Sequence, residues 1–100
     1  MSDIITEPET LQGQLLQVAN VLETRGRCQH RLTDEAGRVC LLMAVVEVVK
    51  DVEVPRVRVL IKALQDEIDG QNISRWNDAA GRTDDEVLTM VRNAAAKAEA

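Results

Sequence analysis

The stretch VCLLMAVVEVV, residues 39–49, decides the fold class, because ten of its eleven side chains are apolar. Its leucine, methionine and alanine residues favour a helix, whereas its valines favour a strand, so periodicity alone does not separate the two. The stretch is longer than a typical strand. We therefore predict a buried central helix over residues 39–50.

The segment before this helix has the pattern of an amphipathic helix over residues 7–24. Thr6 and Glu9 have the spacing of a capping box, and Gly26 is suited to ending the helix. Apolar side chains then recur at helical spacing, at Leu11, Leu15, Val18 and Leu22.

Two more helices are predicted after the central one. A proline in the first turn and apolar residues at helical spacing predict a helix over residues 55–69. Thr83 and Glu86 form a second capping box, which predicts a last helix that runs to residue 97. Between these two helices, Ser74 is placed to cap a single short turn that carries Trp76-Asn77-Asp78.

The composition favours an all-α fold with an aliphatic core. Trp76 is the only aromatic residue of the 100, and aliphatic side chains suit helix-on-helix packing. A chain of this length is one ordinary domain, and we expect its ordered core to span residues 7–97. Residues 27–38 are polar, and they form either a short β-hairpin, with arms at 27–32 and 38–40, or a plain loop. The expected fold is a mainly all-α four-helix domain.

The acidic balance of the chain argues against nucleic acid and membrane as partners. The net charge is −5 and the pI is about 4.8, so phosphate backbones and anionic lipids are not generally attracted. No basic leader precedes a long apolar stretch, and the longest apolar run is too short to cross a bilayer, so we expect a cytoplasmic protein. Nucleic-acid binding through the loop at 25–38 is an alternative, because it holds Arg25, Arg27, Arg31 and Arg38.

Cys28, His30 and Cys40 are the residues from which a metal or thiol site would be built. With Asp34 as a fourth ligand they would offer sulfur, nitrogen and oxygen donors, but the spacing is not a standard zinc pattern. Cys28 and His30 lie two residues apart, which would allow contact along one side of a strand. A small metal-dependent or thiol enzyme that uses these residues and Asp78 is therefore a second alternative, whereas buried or loop side chains are the simpler interpretation.

Three stretches together resemble a known family. They are LETRGRCQ at 22–29, GRVCLL at 37–42 and ISRWNDAAGRT at 73–83. This pattern is similar to that of a small domain family of unknown function from actinobacteria and their phages, marked by a Trp-Asn-Asp motif before its last helix. The resemblance implies an origin and no activity. The chain departs from the pattern at Arg27, where family members often have an aromatic residue.

The Trp76-Asn77-Asp78 segment has a structural and a functional interpretation. In the structural one, Trp76 is buried between the last helix and its neighbours, and its indole N–H reaches a carbonyl. Asn77 and Asp78 then bond to their own backbone and fix the turn into Thr83. In the functional one, Asp78 serves as a general acid or base or a metal ligand, or the segment contacts a partner directly.

The sequence as a whole predicts a non-enzymatic interaction or regulatory module without a cofactor. Small size, an acidic surface and the lack of an assembled catalytic set support this hypothesis. The partner would be another protein, a host protein in the host cytoplasm if the chain is phage-encoded, or a second copy in a homodimer. Residues 39–59 carry more apolar side chains than one face of a small domain buries, which favours the homodimer. The residues expected to mark the interaction site are Trp76, Asn77, Asp78, Arg27 and Arg31.

Overall fold

Five α-helices and one short 3-10 turn make up the computed structural model, which describes residues 10–50 and 54–98. The mainly helical fold class is thereby confirmed. Within the described residues no strand forms. In chain order the elements are α1 (Leu11–Arg25), α2 (Leu41–Val49), α3 (Val54–Gln65), the 3-10 turn (Asp66–Ile68), α4 (Ile73–Asp78) and α5 (Asp84–Ala98).

Helix α1 begins at Leu11, four residues later than the sequence predicted. Thr10 has an extended backbone, and its hydroxyl accepts a hydrogen bond from the Gly13 N–H at 3.0 Å. This side-chain cap satisfies one of the free N–H groups of the first turn, so the helix starts after it. The capping box predicted at Thr6 and Glu9 lies outside the described residues. The predicted stop is confirmed, because Gly26 ends the helix with a φ of 89°.

The prediction of a helix in the aliphatic stretch is confirmed by α2, although the helix begins at Leu41. Cys40 is its N-cap, and its sulfur accepts a hydrogen bond from the Met43 N–H at 3.4 Å. Ala44 and Val45 are fully buried against the neighbouring helices. Because tertiary packing stabilises this helix, the low helix propensity of its valines does not prevent it from forming.

The region between α2 and α5 contains more helix than the sequence predicted. The predicted helix at 55–69 divides into α3 and the 3-10 turn, and it stops at Asp69, which has a left-handed φ of 56°. The predicted short turn is a helix of its own, α4, so the number of helices is five instead of four. Its cap is Asn72, not Ser74, and the Asn72 carboxamide oxygen accepts from the N–H groups of Ser74 and Arg75.

Residues 26–40, which we call the 26–40 loop, connect α1 to α2. Val39, near the end of this loop, bonds back to its beginning: the Val39 N–H donates to the Gly26 carbonyl, and the Val39 carbonyl accepts from the Cys28 N–H. Two isolated bridges, from Val39 to Arg27 and to Thr33, replace the predicted pairing of two hairpin arms. The plain-loop alternative therefore describes this segment better than the hairpin.

The core lies between α1, α2, α3 and α5. Helix α1 packs most extensively against α5 and α2. The capping box predicted for α5 is confirmed, because Thr83 and Glu86 exchange backbone-to-side-chain hydrogen bonds of 2.9 and 3.1 Å. None of the helices described is long and apolar enough to span a membrane. The largest fully buried aliphatic side chains are Leu15, Leu41, Leu60, Leu64, Val18, Val39, Val45, Val87 and Val91.

Candidate functional site

The side chain of Arg27 connects the 26–40 loop to α4, which carries the Trp-Asn-Asp segment, and to the start of α5. Its two terminal nitrogens donate to the carbonyls of Asn77 and Arg82, at 2.8 and 2.6 Å. Its Nε donates to the Asp84 carboxylate at 2.8 Å, and only 7% of the side chain is exposed. A guanidinium suits this position because its donors fan out in one plane toward several acceptors. Arg27 is thus a structural residue.

Asn77 has no exposed surface, and it is the one polar residue among those described that is buried as a whole, backbone included. Its Nδ2 donates to the Cys28 carbonyl at 3.1 Å and to the Asp78 carboxylate at 3.0 Å, while its Oδ1 accepts from Arg27 at 3.2 Å. Its own carbonyl also accepts from the Gln29 amide at 2.9 Å. These bonds satisfy both ends of the carboxamide, as burial of a polar group requires.

Asp78 binds the backbone of the 26–40 loop. Its Oδ1 accepts from the His30 N–H at 2.8 Å, at a residue held with a φ of 68°. Burial alone would raise the pKa of Asp78, but this hydrogen bond, the one from Asn77 and the charges of His30 and Arg27 lower the pKa below its usual value. The carboxylate therefore stays ionised at neutral pH, which does not suit a general acid.

Five residues form one connected set that we call the loop clasp: Arg27, Gln29, His30, Asn77 and Asp78. Their bonds run between the 26–40 loop and α4, across 48 to 50 positions of sequence. The sequence predicted that Asn77 and Asp78 would fix the turn into Thr83, and this is wrong. That turn is instead held by Arg82, which donates from its N–H to Ala79 and from its Nε to the Trp76 carbonyl.

Trp76 is partly buried: the ring packs against the core, and part of its surface stays exposed. The aliphatic core closes without it, and the ring packs on the edge of that core. The Arg82 guanidinium lies 4.0 Å from the ring centroid, which is a cation–π contact. Its indole N–H, expected to reach a carbonyl, has no hydrogen-bond partner among the described residues.

A cleft of about 520 Å³ opens beside the ring, and we call it the Trp76 cleft. Trp76, Arg82 and residues of α5 from Asp85 to Asn93 line it. The wall includes four carboxylates, at Glu67, Asp69, Asp85 and Glu86. The remaining lining residues are Ile68, Gln71, Thr89, Met90 and Asn93.

Cys28 is buried and points into the 26–40 loop. Its sulfur lies 3.3 Å from the Arg31 carbonyl and 3.5 Å from the Arg38 carbonyl. Burial, followed by the nearby Asp34 carboxylate, raises the pKa of this thiol above its ordinary value, although Arg38 and Arg31 act in the opposite direction. A thiolate nucleophile requires a lowered pKa, so this environment favours a structural thiol.

The other residues considered for a metal site are engaged separately. Cys40 caps α2, and the His30 side chain is mostly exposed. The Asp34 carboxylate accepts from the N–H groups of Ala36 and Arg38 and from the Arg38 guanidinium at 2.6 Å. Burial would raise the pKa of Asp34, but these bonds and the Arg38 charge lower it. Within the described residues, no three His, Cys, Asp or Glu side chains are placed to hold one metal ion.

The basic cluster of the 26–40 loop is largely paired with acidic or carbonyl groups. Arg25 donates to the Gly37 carbonyl and lies 3.4 Å from the Glu47 carboxylate. Arg38 pairs with Asp34, and Arg27 is enclosed in the loop clasp. Arg31 is exposed. The cluster thus presents less free positive charge than its sequence indicates.

Sequence reasoning missed two residues that complete this region. Gln29 donates to the carbonyls of Asn77 and Ala79, and nothing in the local sequence indicates partners so far along the chain. Arg82 stacks on Trp76 from six positions later. An arginine that follows a lone tryptophan across a glycine-containing turn was the available signal, because such a turn brings the two side chains back together.

The three stretches on which the family resemblance rests, residues 22–29, 37–42 and 73–83, are joined by hydrogen bonds around the loop clasp. They define a helical domain organised around this polar cluster. The chain belongs to a family of unknown function (DUF6197), whose model matches residues 6–97. This membership confirms the resemblance to a family without an assigned activity. The chain has no significant match among curated proteins or among solved structures.

Proposed function

We propose that this domain is a non-enzymatic interaction module that binds another protein chain through the outer face of α2. The supporting observation is the polarity of that helix, in which Glu47 is the only charged residue of nine. A helix on the surface of a globular protein usually carries polar residues on its outer side. Here Val46 is 40% exposed, and Leu42, Met43 and Val49 are partly exposed.

These side chains form one stripe, which we call the α2 face. Leu42, Val46 and Val49 follow the i, i+4, i+7 spacing, so they lie on the same side of the helix. Leu32 is half exposed, and its carbonyl accepts from the Cys40 N–H, which brings it to the start of α2. Contiguous exposed apolar groups on a small domain are typical of protein-interaction sites.

The enzyme alternative has weaker support, because its residues have structural contacts. The Cys28 thiol has a raised pKa, the Asp78 carboxylate has a lowered one, and Cys40 caps a helix. Nucleic-acid binding has less support as well, since Arg27 is enclosed and Arg38 is paired. The actinobacterial or phage source remains part of the proposal, and the Trp-Asn-Asp resemblance is what supports it.

A second copy of the chain is the partner that we propose for the α2 face. Packing two such helices against each other would cover apolar side chains on both copies at once, as symmetric dimers do. Light scattering across a concentration series measures the mass directly. We expect a dimer, and we expect Val46→Glu to dissociate it, because the new carboxylate would be buried without a partner.

Val59→Glu is the matched control, since Val59 lies on α3 and is 42% exposed. It introduces the same charge at an equally exposed valine on another helix. A dimer that survives Val59→Glu and not Val46→Glu supports the α2 face. A wild-type protein that stays monomeric at the highest concentrations contradicts self-association, and equal loss in both variants contradicts the choice of face.

A further inference from the structure

We propose that the Trp76 cleft binds an arginine or lysine side chain from a basic segment of a partner protein. This inference is independent of the α2 face, because the two surfaces share no residue. Its basis is one cleft that combines a partly exposed aromatic ring, apolar lining residues and two carboxylates, Asp69 and Asp85, without an ion-pair partner among the described residues. Each of these features suits a different part of a long cationic side chain.

The apolar part of the cleft suits the aliphatic stem. Ile68 and Met90 line it as buried side chains, and the partly buried ring of Trp76 leaves further apolar surface exposed. Lysine and arginine bury their methylene stems along such surfaces while the charged end stays near water. Arg82 already lies against the ring at 4.0 Å, so the indole in this chain accepts a cation at close range.

The carboxylates suit the charged end. Glu67 is paired with Lys97 at 3.0 Å, and Glu86 lies 3.8 Å from Arg82. Asp69 and Asp85 have no ion-pair partner in the part of the chain that the structure describes. Their negative charge is therefore free to attract an incoming cation, and it would repel a phosphate or a carboxylate.

The incoming residue lies beside Arg82 and does not replace it. Arg82 is fixed by its backbone N–H, which donates to Ala79, and by its Nε, which donates to the Trp76 carbonyl. Besides the ring and Arg82, residues of α5 such as Asp85 and Met90 line the cleft. At about 520 Å³, it has room for one long side chain and part of the extended backbone that carries it.

Tryptophan fluorescence provides a direct test, because Trp76 is the only aromatic residue of the chain. The probes are arginine and lysine hexapeptides with blocked ends, with a glutamate hexapeptide as the opposite-charge probe. We expect a saturable change in Trp76 emission with the two basic peptides and none with the acidic one. The affinity should fall as NaCl rises from about 50 mM to 500 mM, since the cleft is open to solvent.

Two double variants separate the cleft from general attraction to an acidic protein. Asp69→Asn with Asp85→Asn removes the free charges of the cleft, and we expect the affinity to fall about tenfold. Glu35→Gln with Asp66→Asn removes the same charge from exposed positions outside the cleft, and we expect little change. An equal loss in both double variants, or an unchanged Trp76 emission with the basic peptides, would overturn the proposal.

A third variant keeps this test apart from the one on the α2 face. Val46→Glu lies outside the cleft and should bind the basic peptides as the wild type does. Peptide binding by a chain that is monomeric in solution would support the cleft and contradict the homodimer. A dimer whose Trp76 emission does not change with basic peptides would support the homodimer and contradict the cleft.

Discussion

Asn77→Ala removes three hydrogen bonds from a side chain that has no exposed surface. A side-chain hydrogen bond contributes about 1 kcal/mol net, and a buried group left without its partner costs about 1–3 kcal/mol. The Cys28 carbonyl loses its donor, and the Arg27 and Asp78 groups each lose a contact. Alanine recovers roughly half a kcal/mol through its higher helix propensity. We therefore expect the free energy of unfolding to fall by about 3–4 kcal/mol.

The same reasoning gives a smaller effect for Trp76→Ala. Truncation of a fully buried tryptophan costs about 3–5 kcal/mol, which is the effect that a buried ring would have produced. Because part of the ring stays exposed and its indole N–H has no partner in the described chain, we expect a smaller loss, of roughly 2 kcal/mol. The order is the informative result: the small buried amide should matter more than the large ring beside it.

Urea unfolding followed by far-ultraviolet circular dichroism measures both variants without relying on the tryptophan. Asn20→Ala is a matched control, because Asn20 is an exposed asparagine on α1, and its stability should stay within about 0.5 kcal/mol of the wild type. The reasoning is refuted if Asn77→Ala unfolds like Asn20→Ala, or if Trp76→Ala proves the more destabilising of the two.

Three further predictions concern the clasp and the last helix. Arg27→Lys should lower the free energy of unfolding by about 2 kcal/mol in urea titrations, because a lysine ammonium cannot reach the three separate acceptors that the guanidinium reaches. Unchanged stability would contradict this role of the guanidinium. Asp78 has a lowered native pKa, so its contribution is present above the unfolded value near 3.9 and is lost as the pH falls through the native value. The urea midpoint of Asp78→Asn should therefore depend less on pH below about 4 than that of the wild type, and parallel curves would argue against the prediction. Thr83→Ala should cost about 1 kcal/mol in thermal unfolding through loss of the α5 cap, and a stability equal to wild type would show that the cap is dispensable.

Local sequence patterns were enough to predict that the main helices exist. Their boundaries could not be predicted in the same way, because they depend on contacts with distant residues. The length of residues 39–49 indicated α2 despite its valines, and packing against the core explains why. The two-residue error at its start has a specific cause: the backbone N–H and carbonyl of Val39 are bonded to Gly26 and Cys28, so Val39 does not enter the helix. Asn72 was overlooked as a cap because Ser74 is also a capping residue type and lies closer to Trp76.

The sequence was enough to identify the Trp-Asn-Asp segment as a candidate site, but it did not predict the contacts that its residues make. Trp76, Asn77 and Asp78 do mark the point where distant parts of the chain meet. Their partners lie 48 to 50 positions away, and a single sequence contains no signal that selects among such distant pairs. Its size alone predicts that Trp76 is the most buried residue of the segment. The aliphatic side chains fill the core without it, and the buried position belongs to Asn77.

This arrangement divides the segment into two roles. Asn77 and Asp78 face the 26–40 loop and hold it in place. Trp76 faces the cleft beside α5 and remains partly open. The same short helix thus fixes the fold on one side and presents a surface on the other, which reconciles a structural interpretation of the motif with a binding one.

Hydrogen exchange at the His30 amide tests the loop clasp most directly. His30 is an exposed loop residue, yet its N–H donates to the Asp78 carboxylate at 2.8 Å. Its amide should exchange slowly in the wild type and at least about tenfold faster in Asp78→Ala, whereas the Cys40 amide, which donates to Leu32, keeps its rate. A His30 amide that exchanges as fast in the wild type as in Asp78→Ala would contradict the contact on which the account depends.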